Sequence, residues 1–353
     1  MEDKMAFRKL TNEEIKQDPE KQLKGFRKTK DFLVAIDTDG CVTDNMNGKH
    51  MMIFQPQYME FYQLWDIESY FREVSEYYNL FSVYRGCNRF LAIQYSLRAL
   101  HARKDSRQAA GSKGVKLPDV EPLDAYISYC EKNKLGLGNP SLEKYLATMP
   151  MDLYLYKLLG WSEAVNRTFP FVKIPPFENV RESLELMCEK ADVMIVSQTP
   201  YDDLVNFWEH NGLLPYVQTI AGQEMGKKGH HIGTVMKACG YDPSRVLMIG
   251  DADGDLKGVK ENKGLFYPIP AGYEREAWKD FPGYFSRFAE GSYAGETEKK
   301  LLDNFAKVLL KTPPWEEAGY EHQKAYREKQ EIRKSLYRQL NPGEGCLQFN
   351  GKS

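Results

Sequence analysis

The chain has 353 residues, enough to bury one or two sizeable cores, and its 42% hydrophobic and 28% charged residues match those of ordinary soluble proteins. A formal net charge of −2 gives no long-range attraction to nucleic acid or to an anionic membrane. No apolar run approaches the roughly 20 residues of a membrane helix, and the first residues lead into more charge rather than into a signal segment.

Six cysteines, at positions 41, 87, 130, 188, 239 and 346, are scattered with no Cys-x-x-Cys pair and no Cys/His cluster. They exclude a zinc site or a disulfide framework and lead to the expectation of a cytoplasmic protein with reduced thiols.

Residues 1–30 are polar and densely charged and read as an N-terminal extension, helical or partly ordered. Phe32-Leu33-Val34-Ala35-Ile36 is then an unbroken apolar run, the pattern of a strand buried on both faces of a parallel sheet. The stretch 46–180 changes character. It has few β-branched runs and many helical ones, with Phe61, Leu64, Trp65 and Phe71, then Phe90, Leu91, Tyr95, Leu97 and Leu100, a loop from Ala109 to Pro122, and a second set around Leu155, Leu158 and Trp161. It is predicted to be a helical domain inserted after the first strand.

Strand-like runs return at Val193–Val196, more weakly at Val217–Ala221, at Arg245–Ile249 and at Leu265–Ile269, with helical stretches between them such as Ile232–Cys239, closed by Gly240. Strands alternating with helices predict an α/β fold with a Rossmann-like parallel sheet, built from 31–45 and 181–275. From 276 to 353 a C-terminal extension is expected, broken at Pro313-Pro314 and ending in one charged amphipathic helix over 315–340. No repeat of fixed period is found.

The carboxyl ends of parallel strands face the active-site crevice. Asp37 and Asp39 follow the first strand, Ser197 the second, and Asp251 and Asp255 a later one, while Lys227 and Lys228 precede the helix leading to that strand. Carboxylates crowded on one rim repel each other unless a cation sits among them, and such hard oxygens suit Mg²⁺. The same groups can carry phosphoryl transfer by nucleophilic catalysis. Asp37 is the expected nucleophile and Asp39 the acid/base. Ser197 would hydrogen-bond a phosphoryl oxygen, a lysine would offset developing charge, Asp251 would bind the metal, and Asp255 would support it directly or through water.

The order Asp37-Thr38-Asp39-Gly40-Cys41-Val42-Thr43-Asp44, then a strand ending in Ser197, a lysine, and Gly250-Asp251-Ala252-Asp253-Gly254-Asp255 resembles the four motifs of the haloacid dehalogenase-like superfamily over about residues 31–270. The resemblance implies a Rossmann-like core, a mobile type-1 helical cap and Mg²⁺. It implies that Asp37 is nucleophile and metal ligand, that the Asp39 main-chain carbonyl is a further ligand, and that Asp251 and Asp255 are the acidic pair. The lysine of the pattern matches Lys228 better than Lys227. Gly40 and Gln198 beside the motif residues are expected to contact substrate. Cys41 departs from the usual threonine or valine. Family members that cleave carbon–halogen or phosphonate bonds lack the second aspartate, so Asp39 favours phosphate esters.

Other readings of these residues were weighed. Neither acidic loop has the glycine at the sixth position that an EF-hand needs, and Gly222–Lys227 has too few residues between its glycines for a phosphate-binding P-loop. His230 and His231 read as a solvated helix cap rather than as a base. Within the insert, Arg85, Asn88 and Arg89 surround Gly86 and form either a subsite for a carboxylate or second phosphate, or a surface turn. The expected function is a Mg²⁺-dependent phosphatase acting on a small phosphorylated metabolite through an aspartyl-phosphate. The alternatives are a sugar-phosphate phosphomutase using the same aspartate and a non-catalytic binding protein. Neither nucleic acid nor membrane is expected as a partner.

Overall fold

A computed structural model describes residues 7–169 and 174–340. The unalternating apolar runs become strands: β1 (Phe32–Ile36), β2 (Ala191–Val196), β3 (Thr219–Ala221), β4 (Val246–Gly250) and β5 (Leu265–Pro268). Every residue of β2, β3, β4 and β5 is buried, as expected for strands covered on both faces. All pairings are parallel and the order is β3-β2-β1-β4-β5. The α/β fold with a Rossmann-like sheet and a helical insertion is therefore borne out. β1 lies at the centre, where the winding direction reverses between β2 and β4, and ligands bind outside the carboxyl ends of strands at such a reversal.

The chain forms two compact units. One comprises Met1–Asn45 with Pro175–Leu310 and the other Met46–Ile174 with Lys311–Ser353. In the sheet unit, the helices Val180–Lys190, Asp253–Glu261 and Glu296–Val308 pack on β2, on β4 with β5, and on β5 respectively. Residues 276–310, expected in a C-terminal extension, belong to this unit. The helix Glu274–Ala289 buries Trp278, Phe281, Phe285 and Phe288 on one side, and Pro282 inside it weakens its signal in the sequence.

Where the chain leaves the sheet unit and where it returns are side by side. Thr43 pairs with Pro176, and the Phe177 N–H donates to the Val42 carbonyl at 2.8 Å.

The N-terminal segment is fastened by one buried carboxylate. Asp192, at the start of β2, accepts hydrogen bonds from the N–H groups of Thr29 (2.8 Å) and Lys30 (2.9 Å), from the Thr29 hydroxyl (2.5 Å), and from Gln218 and Tyr241.

The helical unit begins at Met46, within the helix Asn45–Lys49, and runs through a π-helical turn at His50–Phe54 into Gln55–Tyr62. Its core gathers Tyr58, Phe71, Phe90, Leu97, Leu123, Tyr126, Leu158 and Trp161. The loop expected from Ala109 to Pro122 is shorter, because the helix Lys104–Ser112 runs into it and the helix Glu121–Lys132 begins before its end. Trp65, placed with the core residues by its spacing, is 44% exposed.

The last segment is not one helix from Trp315. A short turn at Pro314–Glu316 and Gly319 in the left-handed region (φ 81°) precede the helix His322–Leu340. That helix packs on Glu68–Asn79, with Arg333 donating to the fully buried Glu76 (2.9 Å), His322 against Glu73 (2.9 Å), and Leu336 among Met46, Met51 and Leu80.

Asp192→Ala removes the acceptor for five donors and is expected to lower stability by about 2 kcal/mol, read as a lower urea midpoint of unfolding, with Asp192→Asn less damaging.

Candidate active site

Each acid sits where a strand ends. Asp37 follows β1, and its N–H continues the ladder to the Ile249 carbonyl at 3.0 Å, so its position is set by the sheet itself. The loop after it turns tightly. The Thr38 carbonyl accepts from the N–H groups of Cys41 and Val42, and Gly40 supplies the positive φ of 75° that the turn requires. Trp208 donates to the Thr38 hydroxyl at 3.0 Å, and Trp278 to the Cys41 carbonyl at 2.7 Å, which holds the loop from both sides.

Asp251 follows β4, and Asp255 lies in the first turn of the helix Asp253–Glu261, where its carboxylate accepts the Ala252 N–H at 3.1 Å. Gly250 is constrained by that approach, since a Cβ there would stand 2.4 Å from the Asp255 Cβ.

Lys228 begins the helix Lys228–Cys239, and its ammonium lies 2.8 Å from Asp37 Oδ2 and 2.5 Å from Asp255 Oδ1. Lys227, the other lysine considered from sequence, is exposed. Burial alone would depress the Lys228 pKa, but the carboxylates of Asp255 and Asp37 outweigh it and the pKa rises. The ammonium therefore stays charged. Burial drives the Asp255 pKa upward, with the charges of Asp37 and Asp251 adding to it against the opposing effect of Lys228.

Among the described residues, carboxylate oxygens of Asp37, Asp251 and Asp255 lie within 4.8 Å of one another, all buried. Three hard anionic oxygens gathered at one buried point form a donor set that fits a divalent metal ion such as Mg²⁺.

Ser197 ends β2. Its N–H donates to the Ala221 carbonyl (3.0 Å), and its hydroxyl oxygen accepts the Thr199 N–H (3.3 Å). Gln198 is exposed and donates to the Gly226 carbonyl at 3.0 Å. Asp39 is half-buried and held by two residues that the sequence reading did not single out. Thr199 donates to Asp39 Oδ2 at 2.8 Å and the Asn45 amide donates to Oδ1. Asn45 lies just past the acidic motif, and Thr199 two residues past Ser197. That proximity is the only trace of them in the sequence.

Two expectations need correction or refinement. His231 is not part of a solvated cap: it is fully buried, whereas His230 is half-exposed and meets Glu20 at 2.8 Å. Cys41 is fully buried beside the acids. Burial, followed by the charges of Asp251, Asp37 and Asp255, pushes its thiol well above the usual range, so it is no thiolate nucleophile. Cys346 lies outside the described residues.

In the helical unit, Arg85, Asn88 and Arg89 do not form an exposed basic turn. Arg85 is buried and donates to the Leu80 carbonyl (2.9 Å). Asn88 caps the helix Arg89–Ala102 by accepting the Phe90 N–H (2.9 Å) and donates to the Leu137 carbonyl (3.0 Å). Arg89 donates to the Ser162 hydroxyl (3.0 Å) and to Asn166 (2.8 Å) with its guanidinium over the Phe54 ring, and burial lowers its pKa to about 10. All three have structural duties inside this unit.

The sheet, the insertion and the acids at the strand ends define an α/β protein of the Rossmann-like class with a buried acidic cluster. Residues 130–263 match the family model for haloacid dehalogenase-like hydrolases, a span that holds Ser197, Lys228, Asp251 and Asp255. Over that span the chain is similar to the superfamily. No curated protein matches it in sequence.

Similar solved structures include a haloacid dehalogenase-like family hydrolase from Xanthomonas campestris, at 12% identity over 75% of this chain and 95% of that one, with a TM-score of 0.41. A haloacid dehalogenase-like family protein from Streptococcus pneumoniae is 12% identical over 72% of this chain and 98% of its own, with a TM-score of 0.38. A predicted phosphoglycolate phosphatase from Haemophilus somnus is also 12% identical, over 73% of this chain and 100% of its own, with a TM-score of 0.40. Likenesses this distant carry no argument about activity. No described helix is long and apolar enough to cross a membrane.

Burial, then the neighbouring charges of His230 and Lys228, holds the His231 pKa down at about 4, against 6.5 for a free imidazole. The unfolded chain takes up a proton that the native ring refuses between those values. Stability is therefore expected to fall as the pH drops through this window, by up to about 3 kcal/mol, and to be independent of this group at higher pH. In urea unfolding at neutral pH and at about pH 4.5, His231→Leu should lose less stability on acidification than the parent chain.

Proposed function

We propose that this chain is a Mg²⁺-dependent phosphatase that hydrolyses a small phosphorylated metabolite through an aspartyl-phosphate. The observation that carries the reading is the Lys228 ammonium set between Asp37 and Asp255, with Asp251 in the same buried cluster. Asp39 stands two residues beyond the nucleophile.

In this reading an Asp37 carboxylate oxygen attacks phosphorus, and the bond from phosphorus to the ester oxygen breaks. Asp39 gives that oxygen its proton, and the alcohol leaves. Asp39 then takes a proton from water, whose oxygen attacks the aspartyl-phosphate, freeing inorganic phosphate and restoring Asp37. Ser197 donates its hydroxyl to a non-bridging phosphoryl oxygen, and Lys228 offsets the negative charge spread over the others. Asp37, Asp251 and Asp255, with the Asp39 carbonyl, are the residues that would hold Mg²⁺, which supplies charge neutralisation at the transferring group.

Phosphate release from a panel of sugar phosphates, nucleotides and phosphoserine is expected in the presence of Mg²⁺ and to fall by about 10⁴-fold or more in Asp37→Asn. Release that survives Asp37→Asn overturns the nucleophile, and isomerisation of a sugar phosphate without phosphate loss replaces hydrolysis with phosphomutase chemistry.

Metal binding is read separately, by thermal unfolding. Mg²⁺ at saturating concentration should raise the midpoint of the parent chain by a few degrees and leave that of Asp251→Asn unmoved.

A further inference from the structure

We propose that Thr199 is the positioning residue of Asp39: with Asn45 it grips the carboxylate from both sides and fixes the direction from which Asp39 meets the ester oxygen. The proposal rests on the acid/base reading of Asp39 given above.

The grip is defined at both jaws. The Asn45 carbonyl oxygen accepts the Gly40 N–H at 3.1 Å, so the amide orientation is set and its NH₂ faces Asp39 Oδ1. The Asn45 amide nitrogen donates to one carboxylate oxygen. Thr199 donates to the other, Oδ2, at 2.8 Å, so each oxygen of the group has its own donor.

The segment bearing Thr199 is itself anchored. The Thr199 N–H donates to Ser197 Oγ (3.3 Å), its carbonyl accepts the Gln223 N–H (3.1 Å), Pro200 fixes the next φ, and the Tyr201 N–H is bound by the Glu224 carboxylate (3.0 Å). One anchored stretch therefore carries both the hydroxyl meant for the phosphoryl group and the hydroxyl that orients the acid. The distance between the two functions is set by two residues of chain rather than by two independent loops. Reaction rates are sensitive to displacements of about 1 Å in a reacting group, which gives this coupling a measurable consequence.

The test uses Thr199→Val, which keeps the shape and removes the hydroxyl, with Thr199→Ala as a second variant and Thr199→Ser as the conservative replacement. A simple alkyl phosphate needs a proton on its leaving oxygen, whereas p-nitrophenyl phosphate does not. In rapid-mixing measurements Thr199→Val is expected to slow alcohol release from the alkyl phosphate about tenfold or more, with KM little changed. The burst of nitrophenolate should keep the parent rate, and Thr199→Ser should restore the alkyl rate. Equal loss on both substrates, no loss on either, or failure of Thr199→Ser to rescue overturns the proposal.

Crystal structures of the parent and of Thr199→Val read the grip without turnover. One Asp39 side-chain conformer in the parent and two or more in the variant are expected, and an unchanged single conformer overturns the proposal. A parent chain that releases no alcohol from either phosphate defeats the proposed function instead, while the crystallographic comparison still decides the grip.

Discussion

Three carboxylates and one ammonium are held together away from water at the carboxyl ends of β1 and β4, and the rest of the sheet unit is arranged around keeping them there. Such a cluster costs desolvation energy that Coulomb attraction repays only with close geometry. Lys228 provides it by touching Asp37 and Asp255 at once. The strands supply the rigidity. Asp37 is hydrogen-bonded into the β1–β4 ladder through its own N–H, and Asp255 is drawn against Gly250, where no larger residue fits. Buried oxygens crowded in this way fit a divalent cation, and such a site couples the stability of the rim to metal binding.

The helical unit handles buried charge differently. Glu73 meets Arg103 and His322, while Glu76 meets Arg333, so acids on one helix receive cations from Arg103 and from a segment more than two hundred residues later in the chain. This network has no excess of like charge crowded at one point, and its use is to fasten the last helix to Glu68–Asn79. Similar residue types thus serve attachment in one unit and a reactive rim in the other, and the difference lies in whether each acid has its own cation.

Much of the sheet was legible because burial on both faces leaves an unbroken apolar run, as in Phe32–Ile36 and Val193–Val196, and because an acid or hydroxyl directly after such a run must lie at a strand end. Between Lys227 and Lys228 the resemblance to the family pattern favoured Lys228, and it is the Lys228 ammonium that lies against Asp37 and Asp255. The contact of Thr199 was not legible, since side chains meeting across 160 residues of chain leave no periodic trace, and that of Asn45, six residues from Asp39, depends on the turn at Gly40. Neither was the burial of His231, because an imidazole in a core and one on a surface are spelled alike. The helix Glu274–Ala289 was obscured by Pro282, and the attachment of His322–Leu340 to the helical unit by its charged composition, which reads as solvated until Glu73 and Glu76 are seen beneath it. Arg85 and Arg89 misled in the opposite sense, as charges that look available for a ligand but are spent on neighbouring carbonyls and hydroxyls.

The pairing of Thr43 with Pro176 has a consequence for chain entropy. β1 pairs with residues that begin at Ala191 and Val246, so neither neighbour exists when β1 leaves the ribosome. Closing a flexible loop of that length costs about 4–5 kcal/mol on the logarithmic scale, before any constant. A folded insertion whose two ends meet at the Val42–Phe177 and Thr43–Pro176 contacts removes most of that length, because only residues 37–42 and 177–190 then separate β1 from β2. The strands on either side of Asp37 can then find their register as though the chain between Thr43 and Pro176 were short, whatever the length of the insertion.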